Sequence, residues 1–204
     1  MLFTIIAAHY QPVVSDKEFI RFMASLHRQD CKDFELIIVH DGPWVNEPSI
    51  KGLGFDVKLL NTEKRYNKWG HPSRDLGLKH ARGEYILFTN CDNIYYQDTL
   101  QVLKDNLEET IPIYTMPLKM CGMNYVDGQI WYDDPRDFTK FMIMRGKNPR
   151  YGTIDMMQLI SKKEIWDKRG GWLDYRECSD GYIYQELVKK YKFKYIEHVM
   201  GEHY

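Results

Sequence analysis

The chain has 204 residues, with 28 basic and 29 acidic side chains and a net charge of -1, a length that suits a single domain with its own core. This balance gives no electrostatic reason to expect nucleic acid or an anionic membrane as partner. The four cysteines, Cys31, Cys91, Cys121 and Cys178, form no C-x-x-C and no zinc spacing, and the apolar start at residues 2–8 is too short for a signal core or a membrane span, so a reducing, cytoplasmic setting is expected.

Residues 2–8 read as a buried strand ending in His9, Tyr10, Gln11 and Pro12, where proline stops sheet pairing. Ser15 or Asp16 caps a helix whose apolar positions Phe19, Phe22, Met23 and Leu26 share one face. Residues 34–39 form a second strand, ending in His40, Asp41, Gly42 and Pro43, and residues 55–60 a weaker third. Residues 61–72 are charged and aromatic, an exposed loop. Ser73 then caps a helix through Leu76, Leu78 and Ala81 that closes at Gly83. Residues 85–89 make the fourth strand, which breaks into Asn90, Cys91, Asp92 and Asn93. Asp98 or Thr99 caps a further helix with Leu100, Leu103 and Leu107 on one face. Alternation of this kind predicts an α/β domain with a mostly parallel sheet.

The second half is less regular. Residues 111–116, 129–132 and 155–161 read as strands, 162–168 and 179–190 as helices, and 193–196 as a last strand before His198 and His203. Residues 125–151 have no clear period and read as a long insertion.

Three strand ends carry polar groups: Ala8-His9-Tyr10, His40-Asp41-Gly42 and Asn90-Cys91-Asp92. Each alone reads equally as a turn, but parallel strands bring all three to one edge, where α/β sheets bind ligands. Neither G-x-G-x-x-G nor G-x-x-x-x-G-K-[ST] is present, so a phosphate-bearing ligand here needs a metal to neutralise it. The 15 tyrosines and 5 tryptophans suit sugar or base contacts as a group, but for any one of them core or surface packing is the expected role.

The stretches Gly70-His71-Pro72-Ser73-Arg74-Asp75-Leu76-Gly77-Leu78, residues 81–93, and Gly170-Gly171-Trp172-Leu173-Asp174 followed by Asp180 resemble the small GT-A glycosyltransferases of family 2. The resemblance runs over nearly the whole chain. It implies a single GT-A-like domain of Rossmann type, helices flanking a mostly parallel sheet, with residues 1–97 binding the nucleotide-sugar donor and 98–204 the acceptor and catalytic half. Compactness, and Asn-Cys-Asp in place of Asp-x-Asp, further resemble viral members acting on a capsid glycoprotein.

What the family implies carries over residue by residue. Asp41 matches the aspartate that bonds uracil, with Ala8, His9 and Tyr10 as the other wall. Arg74 matches the arginine at base or diphosphate, and Asn90 to Asp92 the segment that touches ribose and holds the metal. Asp92 is the implied ligand of manganese, with magnesium possible. Aligning residues 191–196 with the last core strand puts His203 ahead of His198 as a further ligand. Asp180 matches the catalytic base of an inverting transfer from a UDP-sugar to a hydroxyl of a glycan or glycoprotein; taken alone it also reads as a helix N-terminal acid. Trp172, Asp155 and Gln158 are expected on the acceptor side, and the loop over residues 131–150 closing over the donor. Rival readings are a sugar-phosphate nucleotidyltransferase, whose glycine-rich loop is replaced here by HYQPVVSDK, and a non-catalytic nucleotide- or carbohydrate-binding domain, which Asn90 keeps open.

Overall fold

Strands β1 (Phe3–His9), β2 (Phe34–His40), β3 (Asp56–Asn61) and β4 (Tyr85–Asn90) lie parallel in the order β4-β1-β2-β3. Successive side chains point to opposite faces. Phe3, Ile5, Leu36, Ile38, Tyr85 and Leu87 enter one core layer; Ile6, Ile37, Val39, Ile86 and Phe88 enter the other. A sheet covered on both faces reads as continuous apolar runs, which is why β1, β2 and β4 stand out in the sequence while the half-exposed edge strand β3 is weaker. The computed structural model describes residues 1–50, 52–126, 129–132 and 140–204.

Between β1 and β2, α1 (Asp16–His27) starts on a reciprocal capping box, in which Ser15 Oγ accepts the Glu18 N–H at 3.3 Å and Glu18 accepts the Ser15 N–H at 2.8 Å. Its Phe22, Met23 and Leu26 are buried, the face expected from their spacing. The helix between β3 and β4, α2 (His71–His80), begins earlier than expected, with Gly70 rather than Ser73 as its cap. Gly70 has φ +77°, and a Cβ there would stand 2.6 Å from the Ala8 Cβ, so only glycine allows this start against β1. Ser73 lies inside the helix, fully buried, and the helix ends at His80 rather than at Gly83.

The second half adds β5 (Ile94–Tyr95), α3 (Thr99–Asp105), β6 (Ile113–Thr115), β7 (Leu118–Cys121), β8 (Met123–Val126), β9 (Gln129–Tyr132) and β10 (Phe141–Met144). Then come β11 (Leu159–Lys162), α4 (Lys163–Arg169), α5 (Ser179–Lys190), β12 (Phe193–Tyr195) and β13 (Gly201–His203). The main sheet reads β12-β6-β11-β4-β1-β2-β3, with β11 antiparallel to both neighbours and every other strand running one way. A second sheet, β10-β7-β13-β5, packs beside it.

Three expectations are corrected here. Residues 155–161 are not one strand: Asp155 caps a single 3-10 turn, Met156–Gln158, and β11 follows. Besides the strand expected at 129–132, which is β9, part of the insertion forms β8 and β10, while residues 133–139 of the expected closing loop lie outside the described residues. The last strand is β13, not the one before His198. Among the described residues no helix is long and apolar enough to cross a membrane.

The two edges of the parallel sheet differ in chemistry. At the amino edge, Glu35 accepts from Thr4 Oγ1 at 2.7 Å and from the Arg82 N–H and Nε at 2.6 and 2.7 Å, and Gly83 N–H closes on Thr4 Oγ1 at 2.8 Å. Every charge there has a partner, as a purely structural latch requires. The carboxyl edge is left with polar atoms in want of one.

Candidate active site

At the carboxyl edge β1 and β2 end level, His9 opposite His40, and the Asp41 N–H bonds the His9 carbonyl at 2.8 Å. β4 ends one residue away, with the Cys91 N–H on the Ala8 carbonyl at 3.1 Å. Beyond β1 and β2 opens a cleft of about 460 Å³, lined by Tyr10, Pro12, His40, Asp41, Val45 and Arg65 among others. The Arg65 guanidinium lies 4.0 Å over the Tyr10 ring. His40 Nε2 accepts the Gln11 N–H at 3.2 Å, so Nδ1 carries the proton that meets the Gly42 carbonyl at 2.7 Å. His9 stacks on Trp44 with centroids 5.0 Å apart, and burial, with His40 adding to it, pushes its pKa down to about 4. It is buried and neutral, outside the lining of the cleft.

The Asp41 carboxylate takes the N–H of Tyr66 at 2.8 Å and of Asn67 at 2.9 Å, with the Thr62 hydroxyl at 3.4 Å. It therefore shapes the loop that carries Arg65. That loop holds Asn67 and Trp69 at φ +53° and +49°, a conformation that costs a non-glycine residue and that charge-assisted bonds offset. Deeper in, Arg74 on α2 is 2% exposed. Its Nη1 donates to the Trp69 carbonyl at 2.7 Å and lies 3.1 Å from His71 Nδ1, while Nη2 donates to Asn90 Oδ1 at 2.7 Å. Asn90 is thus spent on holding Arg74. His71, desolvated and beside that cation, has its pKa lowered to about 3 and stays neutral.

The carboxylates of Asp180, Asp155 and Asp92 act on this arginine through space, against the cost of its burial. Asp180 sits in the first turn of α5, and burial, then Asp155, raise its pKa, against the Gly181 N–H and Arg74. Asp92 is also raised by burial, with His203 opposing. Its Oδ1 is buried without a hydrogen-bond partner, as is His203 Nδ1. His203 Nε2 lies 3.7 Å from Asp155 Oδ2. Among the described residues no three His, Cys, Asp or Glu side chains stand together as a ready metal cluster.

The profile of glycosyl transferase family 2 matches residues 5–165. The chain belongs to that family. An uncharacterized glycosyltransferase of Haemophilus influenzae is 25% identical over 155 residues, 73% of this chain and 50% of its own length. Another, from Rickettsia felis, is 27% identical over 96 residues, 47% of this chain and 16% of its own. Among solved structures, Staphylococcus aureus TarS 1–349 superposes with a TM-score of 0.69 at 16% identity, covering 99% of this chain and 60% of that one. The Pyrobaculum calidifontis mannosyltransferase PcManGT, in complex with GDP-Man and Mn2+, gives 0.62 at 16%, covering 98% and 56%. The family 2 chain described here therefore has a GT-A-like α/β fold, and it spans half or less of the length of these curated relatives. Nothing in these likenesses supports the narrower viral resemblance or its capsid acceptor.

Within this family 2 chain, Tyr10 and Asp41 line the cleft while Ala8 and His9 are buried outside its lining, and Arg74, Asn90, Asp92, Asp155, Asp180 and His203 draw together deeper in. Three expected roles do not match the placement. The Cys91 side chain is fully buried in the core, its pKa pushed well up by burial, so only its backbone reaches the edge. Trp172 is 0% exposed and its ring stacks against His71 and Trp166; no face is open to a sugar. Its indole N–H instead meets Ser179 Oγ at 3.1 Å and steadies the start of α5, next to Asp180. Gln158 is 0% exposed and spends its amide on the carbonyls of Met116 and Met144 at 2.9 and 2.8 Å. Overlooked in the sequence was Asp75, whose Oδ1 accepts the Trp172 N–H at 2.9 Å. Gly171, at φ +104°, makes room for it, since a Cβ there would fall on that oxygen. The double glycine at 170–171 was the available signal.

Proposed function

We propose that the chain transfers a sugar from a UDP-linked donor to a hydroxyl of a glycan or glycoprotein, with inversion and with help from a divalent metal. The convergence of the Asp41 cleft, Arg74 and the half-buried Asp180 on one sheet edge is the observation that carries this reading. TarS has been solved with UDP and with UDP-GlcNAc, which supports UDP here; the GDP-Man complex of PcManGT makes guanine the competing base.

In this mechanism the base enters the cleft between Tyr10 and Val45, and Arg74 supplies positive charge toward the diphosphate. A carboxylate with a raised pKa is a stronger base, and Asp180 is raised. Its oxygen takes the proton of the acceptor hydroxyl as that oxygen bonds the anomeric carbon; the bond from that carbon to the diphosphate breaks, and the nucleoside diphosphate leaves. Residues here fit a metal in one respect: Asp92 Oδ1 and His203 Nδ1 are buried atoms with no partner, a carboxylate and an imidazole that suit manganese better than magnesium. Bound there, the metal would stabilise charge on the leaving diphosphate. With only those two side chains, water and the donor's own oxygens would have to supply the remaining ligands.

Calorimetry of the full chain with UDP, with and without manganese, tests the reading. Binding at least tenfold tighter with the metal is expected. Equal affinity with and without it removes Asp92 and His203 from the donor site, and tighter binding of GDP than of UDP reassigns the base.

A further inference from the structure

We propose that Asp155 is a positioning residue for His203, holding the imidazole through Nε2 so that Nδ1 is left as its metal-binding nitrogen. The inference rests on the metal reading above and gives Asp155 a place that neither the sequence nor the family match assigned. An imidazole binds a cation through one nitrogen only when the other carries the proton, and a carboxylate on that N–H fixes both tautomer and ring direction. Here the carboxylate is on the Nε2 side, with Asp155 Oδ2 at 3.7 Å. The side chains of the pair are 15% and 13% exposed, and Nδ1 on the other side of the ring is buried with no partner.

Both ends of the pair are anchored. Asp155 Oδ1 accepts the Met157 N–H at 2.9 Å, and the Asp155 N–H goes to Gln158 Oε1 at 2.9 Å. Gln158 is itself tied to two carbonyls, so Oδ2 is the one acceptor of that carboxylate left to turn outward. On the other side β13 is paired with β5 and β7, placing His203 opposite Met120. Glu202 takes Lys119 Nζ at 3.0 Å and the Tyr96 hydroxyl at 3.1 Å, and the Tyr204 N–H meets Asn93 Oδ1 at 3.1 Å. Only ring rotation remains. The gap exceeds an ordinary N–H···O distance by about 0.8 Å, within reach of a small torsion, and apo sites commonly tighten on loading.

The test measures Mn2+ binding to the full chain in the presence of UDP, by the loss of the free-ion EPR signal, for the parent, Asp155→Asn, Asp155→Ser and His203→Ala. Asn and Ser cap a turn about as well as Asp, so the 3-10 turn survives, and urea midpoints verify it. Both Asp155 variants should bind Mn2+ about 10–100-fold more weakly, the usual cost of losing such a partner. In nitrogen-15 spectra of the metal-free protein the His203 ring should lose its preference for the Nε2–H tautomer. Parent-like Mn2+ affinity in both Asp155 variants, alongside a loss in His203→Ala, overturns the proposal and leaves the metal reading intact. Parent-like affinity in His203→Ala overturns both, and metal-free UDP binding then shows whether the nucleotide reading stands.

Discussion

Replacing Arg74 with Met keeps the bulk of the side chain and removes a cation set among Asp92, Asp155 and Asp180. Two hydrogen bonds of 2.7 Å go with it, to the Trp69 carbonyl and to Asn90 Oδ1. Bonds to a charged group contribute about 1.5–3 kcal/mol each, and removing one partner of a buried ionic group costs about 3–5 kcal/mol in total. These terms overlap, so a loss of about 3–5 kcal/mol is expected at pH 7.5 by urea unfolding. The loss should shrink at lower pH. Asp180 and Asp92 titrate above their ordinary 3.8 in the folded chain, through burial first. In the window above 3.8 the native state therefore holds protons that the unfolded chain has released, and stability rises as pH falls through it. Protonated carboxyls no longer need the guanidinium. A loss below about 1 kcal/mol at pH 7.5, or one that does not shrink as pH is lowered toward 3.8, refutes the view that Arg74 holds a cluster of half-buried carboxylates.

Other substitutions test the surrounding geometry. Gly171→Ala puts a methyl on Asp75 Oδ1 at a φ of +104° and should cost about 3 kcal/mol or more in urea, from the backbone penalty and the weakened Trp172 N–H bond; a neutral effect rules out that packing. Asp41→Asn turns an amide NH2 toward an N–H of the loop at Tyr66 and Asn67. It should speed hydrogen exchange at those two amides and weaken UDP binding about tenfold, and unchanged exchange would show that the loop does not depend on the carboxylate. Asp180→Asn should make the apo chain more stable at pH 8, because a buried charge with a raised pKa is removed, and the gain should vanish as pH falls and the parent protonates. Equal stability at pH 8 would mean that Asp180 bears no burial cost.

The sequence revealed the parallel half because β1, β2 and β4 are buried on both faces and end in polar residues near one level. Ser15 with Glu18, three residues apart, announced α1, and the same spacing at Asp155 and Gln158 announced the 3-10 turn that was read as strand. The second sheet was not legible. β5 has two residues and β13 three, too few for any periodicity, and their pairing joins segments about a hundred positions apart. His203 could be reached only through the family, since a histidine near a chain end says nothing of the strand that carries it. Trp172 failed for a different reason: aromatic content suggests sugar faces, but exposure is decided by neighbours, here His71, Phe88 and Trp166. Asn90 departs from the family pattern, and the bond from Arg74 shows what the amide does in its place.

The most direct test of sugar transfer is release of nucleoside diphosphate from a panel of UDP-, GDP- and TDP-sugars with manganese, comparing the parent with Asp180→Asn. The account predicts release from a UDP-sugar at least tenfold faster than from the others. Asp180→Asn should bind UDP as the parent does and release it about 10²–10⁴-fold more slowly. Full turnover by Asp180→Asn, or no release from any donor alongside no affinity for UDP, contradicts it.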